Sequence, residues 1–281
     1  MIRTSHTAGS LARVLLPEKL QAALRPPWKY YQCRRICSDA RSVRTLWDAF
    51  AEQEDTCPEK VIRVRALSGG WVRFRANRTD SGTLLSTFYY KFHLPAPGLL
   101  DGTVQRVMDL GANIGATTLD LCNHYPSAQV IAVELDADNV RVLQGNTDRL
   151  RDRVAVVHGG IYCEDSSLTY RKRGVASDSF QLRPLSSAGD PAMVSVQARS
   201  LNTLFERFLG SHEVVDYMKM DIEGAERAVL TCNAEWSRRV RCLKVELHDE
   251  YQLCEARRDM TELGFKVVVD HVHWACLTGV R

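Results

Sequence analysis

From Val104 onward, short apolar runs alternate with stretches in which apolar residues recur every three or four positions. This is the pattern of a parallel sheet flanked by helices. Residues 104–110 predict a first strand and 114–123 the helix after it. Residues 129–135 (QVIAVEL) predict a second strand, followed by a helix with Val140, Leu143 and Leu150 on one face. A third strand begins over 154–157, and the polar stretch 164–190 reads as an insertion with a short hairpin at 167–172. Beyond it come a strand at 194–198 and a helix with the core stripe Leu201, Leu204, Phe205 and Phe208. A strand at 214–220 then runs into a helix starting near Glu223. A strand at 242–247, a helix carrying Leu253, Ala256, Met260 and Leu263 that Gly264 closes, and one or two strands within 266–280 complete the sheet.

The front of the chain follows another pattern. Residues 11–53 read as helical with an interruption at Pro26-Pro27, and 61–67 with 71–75 as a β-hairpin around Ser68-Gly69-Gly70. Arg63, Arg65, Arg73 and Arg75 alternate with Ile62, Val64, Val72 and Phe74, which predicts all four arginines on one face. The expected division is therefore an N-terminal helical segment plus hairpin over 1–80 and an α/β Rossmann-like domain over 81–281.

Charge refines this picture. Residues 1–80 carry 15 Lys/Arg against 8 Asp/Glu, while the rest carries 22 against 26. That asymmetry falls short of a dedicated nucleic-acid binder. The arginine face reads either as a solvated edge or as a surface for a phosphorylated acceptor or an acidic carrier protein. No apolar run approaches the length of a membrane span, and the short apolar stretch 11–16 lacks the core of a secretory signal. The nine cysteines are odd in number and include no C-x-x-C pair, so reduced thiols in a cytoplasmic protein are expected. Cys33 and Cys37 lack further ligands nearby. Asp270, His271 and His273 invite a metal reading, but no metal site is assigned.

The first chemical signal is V-M-D-L-G-A-N-I-G at 107–115: a buried strand, an acid at its tip, then a glycine turn into a helix. The dinucleotide pattern G-x-G-x-x-G is broken at Asn113 and Ala116, and no G-K-[ST] follows, so neither a pyrophosphate cradle nor a P-loop is specified. An acid at the tip, Asp109, suits a cationic ligand such as the methionine ammonium beside a sulfonium. Glu134, near the end of the next strand, stands where a carboxylate accepts from ribose hydroxyls. The expected cofactor-binding residues are Asp109, Gly111, Asn113, Gly115 and Glu134, with Asn139, Gly160 and Ile161 as further candidates to line the pocket.

The second signal is Y-M-K-M-D-I-E-G-A-E at 217–226, again strand, carboxylate, glycine and helix. Together with V-I-A-V-E-L, S-L-N-T-L and K-V-E-L-H, these blocks make residues 85–268 resemble the FkbM methyltransferases. The resemblance implies a class I methyltransferase with S-adenosylmethionine as donor, acting on hydroxyl groups of sugars, polyketides or other small metabolites. Two departures stand out: V-E-L-D replaces the usual E-P after the second strand, and the first 80 residues match no known block. For the base that removes the acceptor proton, Asp221 is the first choice, Glu223 the second and His248 the third. A non-catalytic Rossmann-like cofactor-binding or regulatory protein is the alternative reading.

Overall fold

The computed structural model describes residues 18–51, 58–100, 102–171, 182–184, 193–270 and 272–281. Its centre is a seven-stranded sheet ordered β12-β13-β11-β10-β3-β4-β5. These strands are β3 (Arg106–Leu110), β4 (Gln129–Glu134), β5 (Val154–His158), β10 (Val215–Met220), β11 (Val240–Glu246), β12 (Lys266–Val269) and β13 (Cys276–Val280). The pairs β10–β11, β10–β3, β3–β4 and β4–β5 are parallel, and β13 runs antiparallel to both β11 and β12. Every residue of β10 is buried, because both faces of the sheet are covered. On one face Met108, Leu110, Met218 and Leu243 join the largest core; on the other Val107, Val130, Tyr217 and Cys242 join a second.

The covering helices are α4 (Ala116–His124), α5 (Ala137–Thr147), α6 (Leu201–Phe208), α7 (Glu226–Thr231) and α8 (Leu253–Glu262). Ser200 caps α6 by accepting from the Thr203 amide, and Leu201, Leu204 and Phe205 form its buried stripe as the periodicity predicts. The predicted insertion is ordered differently from a lone hairpin. β7 (Ser166–Arg171) pairs antiparallel with β9 (Met193–Arg199) and with β8 (Leu182–Pro184). With β6 (Gly160–Ile161) they make a separate four-stranded sheet.

At the front, α1 (Glu18–Ile36) is continuous, so the interruption expected at Pro26-Pro27 is corrected. Its second half, with Gln32, Cys33 and Ile36 buried, fixes the axis against the neighbouring core. Helix α2 (Ala40–Ala49) follows, capped by Asp39, whose side chain accepts from the Ser42 amide at 2.8 Å. The hairpin is present as β1 (Glu59–Val64) and β2 (Gly70–Arg75), with Ile62 opposite Val72. Ile62, Val64, Val72 and Phe74 enter one buried cluster with Ile114, Ala116, Leu119 and Val142 of the α/β part.

The four-arginine face requires a correction. Arg63, Arg65 and Arg73 are exposed, but Arg75 is buried under α3 (Arg78–Leu85). Its guanidinium grips Asp80, at 3.0 Å from Nε and 2.9 Å from Nη2. Arg73 pairs with Glu59 at 3.2 Å, Arg65 donates to the Cys37 carbonyl at 2.9 Å, and Arg63 lies over the Trp71 ring. Nη2 of Arg75 also donates to Asn139 Oδ1 at 2.6 Å, on α5. That bond ties the hairpin to the edge of the cleft described next. Arg75→Lys keeps the charge and loses the fork, so stability is expected to fall by about 1.5–3 kcal/mol in urea unfolding.

Candidate active site

Strand order reverses at β3, whose neighbours β4 and β10 lead off in opposite directions, so a crevice opens at their carboxyl ends. A cleft of about 500 Å³ occupies it. The loop after β3 forms one wall. Gly111 has φ +78°, and a Cβ there would lie 1.8 Å from the Asp221 carbonyl oxygen, so only glycine lets the β3 and β10 loops touch. Gly115, at φ +82°, opens α4 where a Cβ would meet Leu143 Cδ1 at 2.5 Å. Between them Asn113 takes φ +50°, a conformation asparagine tolerates. Its Oδ1 is buried without a hydrogen-bond partner among the described residues.

Glu134, at the end of β4, is buried and lines the cleft. Its Oε2 accepts from the Asn113 amide at 2.7 Å; its Oε1 accepts from the Asp136 amide at 2.8 Å and from Asn139 Nδ2 at 3.2 Å. Burial pushes this carboxyl above its ordinary range, against those three bonds. The glutamate thus sets the shape of the glycine loop and leaves about one of a carboxylate's four acceptor sites for a ligand. Asn139, Gly160 and Ile161 line the same cleft.

Asp109 does not line the cleft. In the parallel register it stands abreast of Lys219 on β10, and its side chain is fully buried. Its Oδ2 accepts from Thr118 at 2.7 Å, and its Oδ1 lies 3.6 Å from Lys219 Nζ. Lys219 Nζ also donates to the Gly111 carbonyl at 2.9 Å and pairs with Asp221 at 3.1 Å. Burial works against the ammonium, but Asp221 and Asp109 outweigh it and hold Lys219 above the ordinary lysine value. The same burial raises the Asp109 carboxyl despite Lys219. Lys219, which does line the cleft, is thus the link between the tips of β3 and β10.

The other end of the cleft is acidic. Asp221 and Glu223 face it, the latter from a left-handed backbone with φ +56°. His248 stands just behind the lining. Its Nδ1 lies 2.9 Å from Glu226 Oε1, and its Nε2 lies 3.6 Å from both Asp221 Oδ1 and Glu223 Oε2. Burial disfavours the imidazolium, but the bond to Glu226 and the charges of Asp221 and Glu223 raise His248 to about 9. It therefore carries a proton near neutral pH, which suits a charge partner better than a resting base. Glu246, at the end of β11, also lines the cleft, and burial with the nearby Asp221 raises it to about 7.

Sequence reading therefore placed eight residues on the lining: Gly111, Asn113, Glu134, Asn139, Gly160, Ile161, Asp221 and Glu223. Asp109, Gly115 and His248 support it from behind. Lys219 and Glu246 were missed, although alternation along β10 and β11 sets Lys219 beside Asp221 and Glu246 beside His248. The segment 78–93 supplies Arg78, Thr83, Phe92 and His93 to the opposite wall, and no motif marked it. It is fastened by His93 Nε2 at 2.9 Å from Asp120, by the Tyr217 hydroxyl donating to the His93 carbonyl, and by Lys244 donating to the Leu94 carbonyl at 2.9 Å. Lys244 also holds Asp270 at 2.5 Å, which removes Asp270 from the metal reading; His271 lies outside the described residues.

The lining fits S-adenosylmethionine better than a dinucleotide. Carboxylates flank the loop, no third glycine opens a pyrophosphate site, and Asn113 keeps an acceptor oxygen without a partner. Residues 109–267 match the methyltransferase FkbM domain. No curated protein shows a significant sequence match to the chain. Among solved structures, the chain is similar to the precorrin-6y C5,15-methyltransferase of Geobacter metallireducens GS-15, with 11% identity, TM-score 0.40, and coverage of 65% of this chain and 84% of the other. It is also similar to fibrillarin of Aeropyrum pernix with natively bound S-adenosyl-L-methionine (12% identity, TM-score 0.41, 79% and 94% covered). A third likeness is the N-terminal domain of human METTL16 in complex with SAH (13% identity, TM-score 0.37, 63% and 62% covered). With the FkbM domain spanning more than half its length and both of that family's acidic blocks meeting at one cleft, the chain belongs to the FkbM methyltransferases, and its methyl donor is S-adenosylmethionine.

Proposed function

We propose that the protein methylates a hydroxyl oxygen of a small-molecule acceptor, with Asp221 as the group that orients the hydroxyl and takes its proton. The observation that carries this reading is that one cleft is lined both by Glu134 and Asn113 and by Asp221 and Glu223. S-adenosylmethionine supplies a sulfonium-activated methyl carbon, which passes to the acceptor oxygen as the carbon–sulfur bond breaks. Glu134, Asn113 and Asn139 would hold its nucleoside part, and the Gly111 loop its methionine part. Lys219 fixes one oxygen of Asp221 at 3.1 Å, leaving the other toward the acid-lined end. In-line displacement requires little of the protein beyond alignment and proton removal, and a fixed carboxylate supplies both. Asp109 acts as a positioning residue through Lys219.

Donor binding by Glu134 has its own test. Glu134→Ala is expected to weaken S-adenosylhomocysteine binding by about 1.5–3 kcal/mol in calorimetry. The reaction class is tested by incubating the protein with methyl-labelled S-adenosylmethionine and panels of hydroxylated and aminated acceptors, sugars and polyketides among the first. Label recovered in a methyl ether is the expected product. Label found only on nitrogen or carbon would remove the O-methyltransferase reading.

A further inference from the structure

Three side chains converge at the acidic part of the cleft. Asp221 follows β10, Glu223 comes from the turn after it, and His248 lies just past β11. One atom from each lies within 4.8 Å of the others. His248 Nε2 is 3.6 Å from Asp221 Oδ1 and 3.6 Å from Glu223 Oε2, too long for hydrogen bonds. Ligand atoms about 2.0–2.2 Å from a shared centre lie about 3.3–3.6 Å apart at tetrahedral angles, so the two histidine–carboxylate separations fall at the wide edge of that range.

The support behind these atoms is of the kind a metal centre uses. Glu226 is fully buried. Its Oε1 accepts from the Ile222 amide at 3.0 Å and its Oε2 from the Gly224 amide at 2.9 Å, so it braces the turn that carries Asp221 and Glu223. The same Oε1 fixes His248 through Nδ1 at 2.9 Å, which turns Nε2 toward the two carboxylates. A carboxylate that orients a ligating imidazole through its other nitrogen is a recurrent feature of metal sites. Asp221 meanwhile divides its oxygens: Oδ2 faces Lys219 and Oδ1 faces His248.

We infer that Asp221, Glu223 and His248 form a binding site for a divalent transition cation, with Glu226 as the residue that orients the histidine. One imidazole and two carboxylates make a mixed nitrogen and oxygen set, suited to zinc or manganese rather than to an all-oxygen ion such as calcium. Three protein ligands leave a coordination position open for an acceptor hydroxyl, whose oxygen the cation would polarise; with a cation bound Asp221 is its ligand, and the proton-accepting role given to Asp221 above belongs to the cation-free site. Its placement beside an acceptor rests on the function proposed above; the binding of the cation does not.

The test uses the full chain and Mn²⁺ alone. Titration should remove one equivalent of Mn²⁺ from the free-ion electron resonance, and pulsed resonance should show nitrogen coupling from one imidazole. Zn²⁺ should displace the Mn²⁺. His248→Ala should abolish the nitrogen coupling. Glu226→Gln should weaken binding about 10–100-fold, the range for residues that orient a ligand. Because Glu226 also braces its turn, Glu223→Gln serves as a second variant and should weaken binding as well. S-adenosylhomocysteine calorimetry on every variant reports that the cleft is folded. Absence of Mn²⁺ binding, binding without nitrogen coupling, or equal binding by the wild type, His248→Ala and Glu223→Gln would each overturn the site and leave a protonated histidine among carboxylates. If Mn²⁺ binds as expected while the donor product does not, the donor reading fails and the cation site stands.

Discussion

Replacing Asp221 with Asn should lower methyl-transfer turnover about 10²–10⁴-fold, the usual size of a general-base contribution, while donor-product affinity stays within a few-fold. The expectation follows from position. Asp221 and Glu134 line the same cleft from the ends of different strands, and the proposed nucleoside site is built on Glu134, so Asp221→Asn leaves that site's own side chains intact. The amide retains the shape and can still accept from Lys219, at 3.1 Å in the wild type, so the fold should survive. Steady-state kinetics with the acceptor found in the labelling screen separates the outcomes. A fall in kcat with KM nearly unchanged fits proton removal, a rise in KM alone fits binding only, and unchanged turnover would transfer the role to Glu223 or Glu246.

The second large effect belongs to Lys219. Lys219→Met should destabilise the protein by about 3–5 kcal/mol at neutral pH, the usual result of leaving a buried charge without its partner. Asp109 is the charge left behind. It is fully buried, and besides Lys219 only Thr118 bonds to it among the described residues. Burial already holds its carboxyl above the ordinary value, and loss of Lys219 raises it further. A carboxyl raised on folding contributes stability below its unfolded pKa, and that contribution is lost as pH rises through the folded value. The variant's deficit should therefore shrink on acidification, and Asp109→Asn in the same chain should recover part of it. Urea unfolding at two pH values and with the double variant measures both effects. A deficit independent of pH and of Asp109 would show that Lys219 works only through Asp221 and the Gly111 carbonyl.

These two sites also show what could be read from the chain beforehand. The central strands of the main sheet are apolar runs that are mostly buried, so β3, β4, β10 and β11 were legible within a residue or two of their ends. The glycine at 111 and the acids at 134, 221 and 223 were legible because a tight turn and a strand-tip carboxylate leave local signatures. The role of Asp109 was not. Whether a strand residue faces a ligand or a neighbouring lysine depends on inter-strand register, and only the pairing of Asp109 with Lys219 across β3 and β10 decides it. The buried place of Arg75 has the same origin, since alternation fixes its side of β2 but not what α3 lays over it. The wall from 78 to 93 carried no motif because its contribution comes from tertiary anchors, Asp120, Tyr217 and Lys244, that are distant in sequence.

The cleft between β3, β4 and β10 should hold the methyl donor and not a dinucleotide. Calorimetry of the purified wild-type chain tests it most directly, with S-adenosylhomocysteine and NAD as separate titrants under one set of conditions. Saturable one-to-one binding of S-adenosylhomocysteine with no heat of binding for NAD is the predicted result. Saturable NAD binding with no response to S-adenosylhomocysteine would contradict it.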